Sequence, residues 1–171
     1  MTHQIPDIGR RSGIIGIVGG STADERTLAL AEEMGAGVAA MGCILVTGGG
    51  GGVMRAASKG AFLAGGLVVG ILPNEKNRPL QGYPNEYVHV PIFTGMSDAR
   101  NAVIVRTSDV IVALKGSFGA ISEVALALKA GTPVISLASP AYDAVGSGPG
   151  YISVDTVQEA LAAAENILAR P

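Results

Sequence analysis

Disulfide chemistry is excluded at the outset: Cys43 is the only cysteine, and with two histidines the chain cannot build a Cys/His zinc site either. Tryptophan is absent and aromatic residues make up 4% of the chain. Charge is scarce, with 15% Asp, Glu, Lys and Arg, 12 basic residues and a formal net charge of −2. That balance gives no basic footprint for nucleic acid. Long apolar runs are lacking too. The uncharged run Ala61 to Pro73 is too short and too glycine-broken to cross a bilayer. The polar start (Thr2, His3, Gln4, Asp7, Arg10, Arg11) holds no signal-type segment. A length of 171 residues suits one domain with a sizeable core. The expectation is a cytoplasmic single domain over 1–171, disordered over 1–12, with neither nucleic acid nor membrane as partner.

Glycine is what the chain has in excess, 25 residues, about twice the usual share of ~7%. The glycines cluster beside short runs of Val, Ile and Leu at Ile14–Val18, Ile44–Val46, Leu67–Leu72, Val110–Leu114 and Val134–Leu137. Near-continuous apolar runs are what strands covered on both faces require. Helix-like stretches lie between them: Asp24–Met41, Val53–Ala64, Ser97–Thr107, Ala120–Ala130 and Asp155–Ala169. The first has capping-box spacing, Thr22-Ala23-Asp24-Glu25. Asn74–Glu86 reads as a surface loop before a short strand, Tyr87–Val90, and Ser139–Gly150 as a second loop. The alternation predicts an α/β fold: Rossmann-like, doubly wound, with a mainly parallel sheet and helices on both faces.

In such a sheet ligands bind at the carboxyl ends of the strands, where helix N-termini offer free N–H groups. Three glycine-rich loops take that place: Gly19-Gly20-Ser21-Thr22, Thr47 to Gly52, and Lys115-Gly116-Ser117-Phe118-Gly119. Each is a candidate phosphate cradle, although tight strand-to-helix turns call for glycine on their own account. No Walker-type motif occurs. Gly16-Ile17-Val18-Gly19-Gly20-Ser21 is not a dinucleotide fingerprint, and no acidic residue ends the second strand at Val46-Thr47. A dinucleotide dehydrogenase is therefore not expected.

Three charged residues stand near these loops. Arg100 falls in the first turn of the third predicted helix, where a cation opposes the helix dipole. That placement makes sense if Arg100 serves a bound anion. Glu123 lies one turn after Gly119, so a carboxylate would stand beside the anion cradle, an arrangement suited to a sugar phosphate. Arg55 is a further candidate phosphate partner. Cys43 reads as an inert core thiol and His89 as structural.

The string Lys115-Gly116-Ser117-Phe118-Gly119-Ala120-Ile121-Ser122-Glu123 resembles the P-G-G-x-G-T-x-x-E signature of the LONELY GUY family, whose members often carry a lysine decarboxylase label. The Gly48–Met54 loop, the Met96–Asn101 segment and the Gly119–Val134 stretch follow in the family's order. The resemblance is strongest to a branch of small bacterial proteins and molybdenum-cofactor carriers, which have Arg-Asn, here Arg100-Asn101, where the cytokinin-activating enzymes have Arg-Lys.

The resemblance implies a homodimer or homotetramer that binds a small phosphate ligand, either a nucleoside monophosphate or a pterin phosphate such as the molybdenum cofactor, with no other cofactor required. Enzymatic members release free base and ribose 5-phosphate from nucleoside 5′-monophosphates, and their essential Arg and Glu match Arg100 and Glu123. The expected ligand-binding set is Gly19, Gly20, Ser21, Gly49, Gly50, Gly51, Gly52, Met54, Arg55, Asn101, Lys115, Gly116, Ser117, Phe118, Gly119 and Ala120, with no metal ligands. Lys115, Ser117 and Ala120 depart from the signature's Pro, Gly and Thr. Ala120 removes a hydroxyl, and Ser117 is expected to strain a turn at positive φ by roughly 1 kcal/mol. Binding by a carrier or sensor is ranked above hydrolysis. The four lysines, Lys59, Lys76, Lys115 and Lys129, offer no convincing Schiff-base site for a decarboxylase.

Overall fold

Apolar runs without alternation are satisfied only where a strand is covered on both faces, and this chain uses them that way. The computed structural model describes residues 13–146 and 148–170; the disorder expected over 1–12 lies outside the described residues. Its elements are β1 (Ile14–Val18), α1 (Glu25–Ala40), β2 (Ile44–Thr47), α2 (Gly52–Leu63), β3 (Val68–Leu72), β4 (Val90–Phe93), α3 (Asn101–Thr107), β5 (Val110–Ala113), α4 (Phe118–Ala130), β6 (Val134–Leu137), β7 (Tyr151–Val154) and α5 (Val157–Leu168). Short 3₁₀ turns cover Ser97–Arg100 and Pro140–Tyr142. Among the described residues no helix is long and apolar enough to cross a membrane.

The strands form one seven-stranded sheet in the order β4-β3-β2-β1-β5-β6-β7. Every pair is parallel, with Gly16 of β1 opposite Val46 on one side and Ile111 on the other. The chain winds outward from β1 to β4, then returns to β5 and winds outward to β7. The strand order therefore reverses between β1 and β5, where parallel sheets open a ligand crevice. Ile15, Ile17, Leu45 and Val112 pack beneath α1, α2 and α5, while Val46, Ile111 and Ala113 face α3 and α4.

The sequence pattern misplaces some boundaries. Asp24, not Thr22, caps α1, its Oδ1 accepting from the N–H of Thr27 at 2.8 Å. The true capping box lies at Thr156 and Glu159, opening α5. The expected strand Tyr87–Val90 is displaced to Val90–Phe93 because Asn85 first ties the chain to the second glycine loop, and the ladder to β3 resumes only where the N–H of His89 meets the Val68 carbonyl. Strand β7 was not foreseen. It is a four-residue edge strand that alternates weakly. The third helix is split, since a 3₁₀ turn starting at Ser97 (φ 49°) precedes α3. Cys43 is buried, and burial pushes its thiol up. The His89 Nδ1 accepts from the N–H of Val68, and its ring stacks on Phe62.

Helices α1 and α2 meet backbone to backbone. A Cβ on Gly35 would lie 2.0 Å from the Ala57 carbonyl oxygen, and one on Gly60 would lie 1.8 Å from that of Glu32. Neither obstacle is a flexible side chain, so both positions exclude a methyl group. Gly60→Ala should therefore destabilise the fold by about 1–3 kcal/mol, despite the ~1 kcal/mol that alanine gains in helix propensity. Urea unfolding of the two proteins reads the sign directly.

Candidate functional site

The three glycine loops lie against one another at the carboxyl edge of the sheet. The N–H of Gly20 donates to the Lys115 carbonyl at 3.1 Å, and the N–H of Val53 donates to the Gly20 carbonyl at 2.9 Å. A Cβ on Gly52 would lie 2.3 Å from that carbonyl oxygen, and one on Gly116 would lie 2.8 Å from the Gly20 nitrogen. The first loop thus satisfies the start of α2 at Val53. The start of α4 differs: its N-cap, Ser117, makes no side-chain capping bond, so first-turn N–H groups of α4 are available to an anion. Ser117 has φ −97°. The strain expected from a serine at positive φ does not arise.

A cleft of about 190 Å³ opens at this start of α4. Ile17, Val18, Gly19, Gly20 and Ser21 line it from β1 and its loop, Gly48 and Met54 from the second loop and α2. Asp98, Arg100 and Asn101 come from the split helix, Ser117, Gly119, Ala120 and Glu123 from α4, and Tyr83 from the long loop after β3. It adjoins a wider basin of about 490 Å³ that shares Gly20, Ser21 and Ser117 and adds Thr22, Ala23, Asp24, Lys115 and Gly116. The Lys115 ammonium stands 3.3 Å from the Asp24 carboxylate.

Arg100 and Glu123 are the buried charges of the cleft, 9% and 7% exposed. The Arg100 guanidinium reaches the carbonyls of Gly48 and Ile71 through one terminal nitrogen. Its Nε is buried without a hydrogen-bond partner among the described residues. A buried donor left unpaired is costly, and here it belongs to a cation in an anion-sized cleft. Arg100 is therefore not the solvated side chain that helix position alone would allow. Among the described residues no hydrogen bond reaches the Glu123 carboxylate. Burial pushes its pKa up to about 7, against the opposing pull of Arg100. At neutral pH this group is poised between acid and carboxylate.

The structure brings Gly19, Gly20, Ser21, Met54, Arg100, Asn101, Ser117, Gly119, Ala120 and Glu123 together in the cleft, and places Lys115 and Gly116 in the basin. Asn101 is buried, and its Nδ2 donates to the Ser122 hydroxyl at 3.4 Å. Gly49, Gly50, Gly51 and Gly52 line neither cavity. Arg55 is held by the Glu86 carboxylate and lies over the Tyr87 ring, outside both linings. Phe118 points outward, 88% exposed. Among the described residues no three His, Cys, Asp or Glu are grouped so as to hold a metal ion.

Sequence reasoning missed Tyr83 and Asp98, and reached Gly48 only as part of the Thr47 to Gly52 loop. Asp98 sits inside the Met96–Asn101 segment and could have been read there. Tyr83 has no local signal, because the composition of 74–86 is that of a surface loop.

The sequence model of the SLOG cluster4 family matches residues 12–165. An uncharacterised protein of Archaeoglobus fulgidus is 44% identical over 126 residues, which is 74% of this chain and 80% of that protein. Among solved structures, the molybdenum cofactor binding protein of Rippkaea orientalis superposes with a TM-score of 0.84 at 35% identity, covering 94% of this chain and 99% of its own. A Moco carrier protein of Chlamydomonas reinhardtii gives 0.82 at 37%, with the same coverage.

The electrostatics of Glu123 make a signed prediction. Its folded pKa of about 7 lies above the ordinary 4.5. Between those values the unfolded chain has released the proton while the folded chain retains it. Stability therefore falls as pH rises through that window and levels off above it, by up to about 3 kcal/mol. Glu123→Gln removes the titration. The melting temperature of the variant relative to the parent should rise by roughly 6 °C or more between pH 5 and pH 8. A difference that stays flat with pH would contradict the assignment.

Proposed function

The chain belongs to the SLOG cluster4 family, and from that premise we propose that it is a carrier that binds a pterin phosphate, the molybdenum cofactor, in the strand-end cleft. The observation that carries this reading is Arg100, a buried cation whose Nε is unpaired among the described residues, beside a helix start without a side-chain cap. Phosphate supplies what both features lack: acceptor oxygens for the guanidinium and negative charge for the α4 N-terminus. Gly119, without a side chain, and Ser117, whose hydroxyl makes no hydrogen bond among the described residues, leave that approach open. The likeness to the Rippkaea and Chlamydomonas proteins supports a pterin cofactor as the class of ligand. The residues of the cleft would hold such a cofactor through its phosphate, and its metal is cargo. The wider basin gives the rest of the ligand room. Exposed Phe118 and Leu126 on α4 offer the surface that a homodimer or homotetramer would cover.

Hydrolysis of nucleoside 5′-monophosphates is the second reading. What favours it is that Arg100 and Glu123, the pair implied by the family resemblance, share one cleft. A carboxylate there could stabilise oxocarbenium character on ribose, although a pKa near 7 leaves much of it protonated at neutral pH.

Fluorescence titration with a pterin monophosphate tests the carrier reading. Saturable binding is expected, with inorganic phosphate competing and Arg100→Met weakening it at least tenfold. Binding indifferent to both would refute the reading. A panel of nucleoside 5′-monophosphates, followed for released base with Glu123→Gln alongside, tests the other. Release by the parent and not by the variant would replace carrier with hydrolase.

A further inference from the structure

Resting on the carrier reading above, we propose that Tyr83 is the specificity-determining residue of the cleft, the side chain that contacts the planar ring of the ligand while Arg100 and the α4 start hold its phosphate. Tyr83 comes from a loop that neither the glycine motifs nor the signature includes. Among the described residues it is the only aromatic one that lines the cleft or the adjoining basin, so it is the aromatic surface that a heteroaromatic ring bound there would meet.

Its placement is enforced on two sides. Two residues further on, Asn85 is buried and uses its backbone N–H on the Gly49 carbonyl at 2.7 Å and its Nδ2 on the Gly50 carbonyl at 2.9 Å. Its Oδ1 accepts from the N–H of Tyr87 at 3.1 Å. The loop is thereby latched onto the second glycine loop. Gly50 then leaves room for the phenol: a Cβ there would lie 2.6 Å from Cζ, and 2.7 Å from Cε1 and Oη, of Tyr83. That contact accounts for glycine at 50, a position that lines neither cavity.

The ring centroid of Tyr83 stands 5.8 Å from the Arg100 guanidinium carbon, so the aromatic surface begins beside the phosphate-directed charge. A ligand with a phosphate joined to a flat heterocycle matches that juxtaposition. Among the described residues the Tyr83 hydroxyl makes no hydrogen bond, which leaves it free for a polar edge of the heterocycle. Aromatic contacts with heterocycles are strong enough to discriminate ring from no ring.

The test compares two phosphate monoesters, 6-hydroxymethylpterin phosphate and glycerol 3-phosphate, by calorimetry on the full chain. Tyr83→Leu should weaken the pterin ester at least tenfold and leave glycerol phosphate within twofold. Tyr83→Phe should retain most pterin affinity. Gly50→Ala, which keeps the tyrosine but displaces it, should reproduce the selective loss, so the inference does not depend on one variant folding well. Equal weakening of both esters by Tyr83→Leu, or no change for the pterin ester, overturns the proposal and leaves the carrier reading standing. A parent chain that binds neither ester overturns both.

Discussion

Three chain reversals must touch at the carboxyl edge of the sheet, and the distance between their backbones governs everything built there. Gly20 bonds to Lys115 on one side and receives the Val53 N–H on the other. Side chains at Gly19 or Gly52 would drive into Val53 or into the first loop itself. The price of this close packing is that the start of α2 spends its Val53 N–H on the first loop, and the first loop spends its Gly20 N–H on the third. What emerges is a division of labour among three loops that look alike in sequence. The first forms a scaffold by accepting from the second and donating to the Lys115 carbonyl of the third, which still leaves the start of α4 for a ligand.

Against that scaffold the two buried charges make opposite demands. Arg100 is held at the ends of β2 and β3 by two carbonyls, which fix its orientation without neutralising it. Glu123 is buried with no hydrogen bond among the described residues, and its ionisation works against folding. A group that lowers stability in a well-packed domain is better explained by what it does for a ligand than by what it does for the fold. The two are electrostatically coupled, since Arg100 draws the Glu123 pKa down against burial. An anion that engages Arg100 would offset this pull and favour the protonated acid, which can donate where a carboxylate cannot.

The sheet was legible because its strands are covered on both faces: Ile14–Val18 and Val134–Leu137 read as near-continuous apolar runs and form strands with those bounds. Strand β7 was illegible for the converse reason, since an edge strand needs no such run. Arg100 and Glu123 could be singled out from their positions at predicted helix starts, and the structure places both in one cleft. Arg55 carried a similar signal, yet its charge is engaged by Glu86, a residue that lies 31 positions away in sequence and has no pattern to announce it. Tyr83 was lost in the same way. Its position is decided by Asn85 and Gly50 through contacts that only the folded chain creates.

The three departures from the family signature can be weighed by what each changes. Ser117 occupies an extended φ of −97°, so its Cβ costs nothing in backbone strain and its hydroxyl replaces a hydrogen. Lys115 is turned toward Asp24, whose carboxyl is lowered to about 2, first by the Thr27 N–H and then by Lys115 itself. Ala120 is buried, with its Cβ 2.6 Å from where a Cβ on Gly116 would be. None of the three alters the path of the backbone that presents the α4 N–H groups. A phosphate held by backbone donors is insensitive to such side-chain changes, whereas transition-state chemistry depends on the placement of particular side chains. The hydroxyl missing at Ala120 therefore weighs more heavily against turnover than against binding.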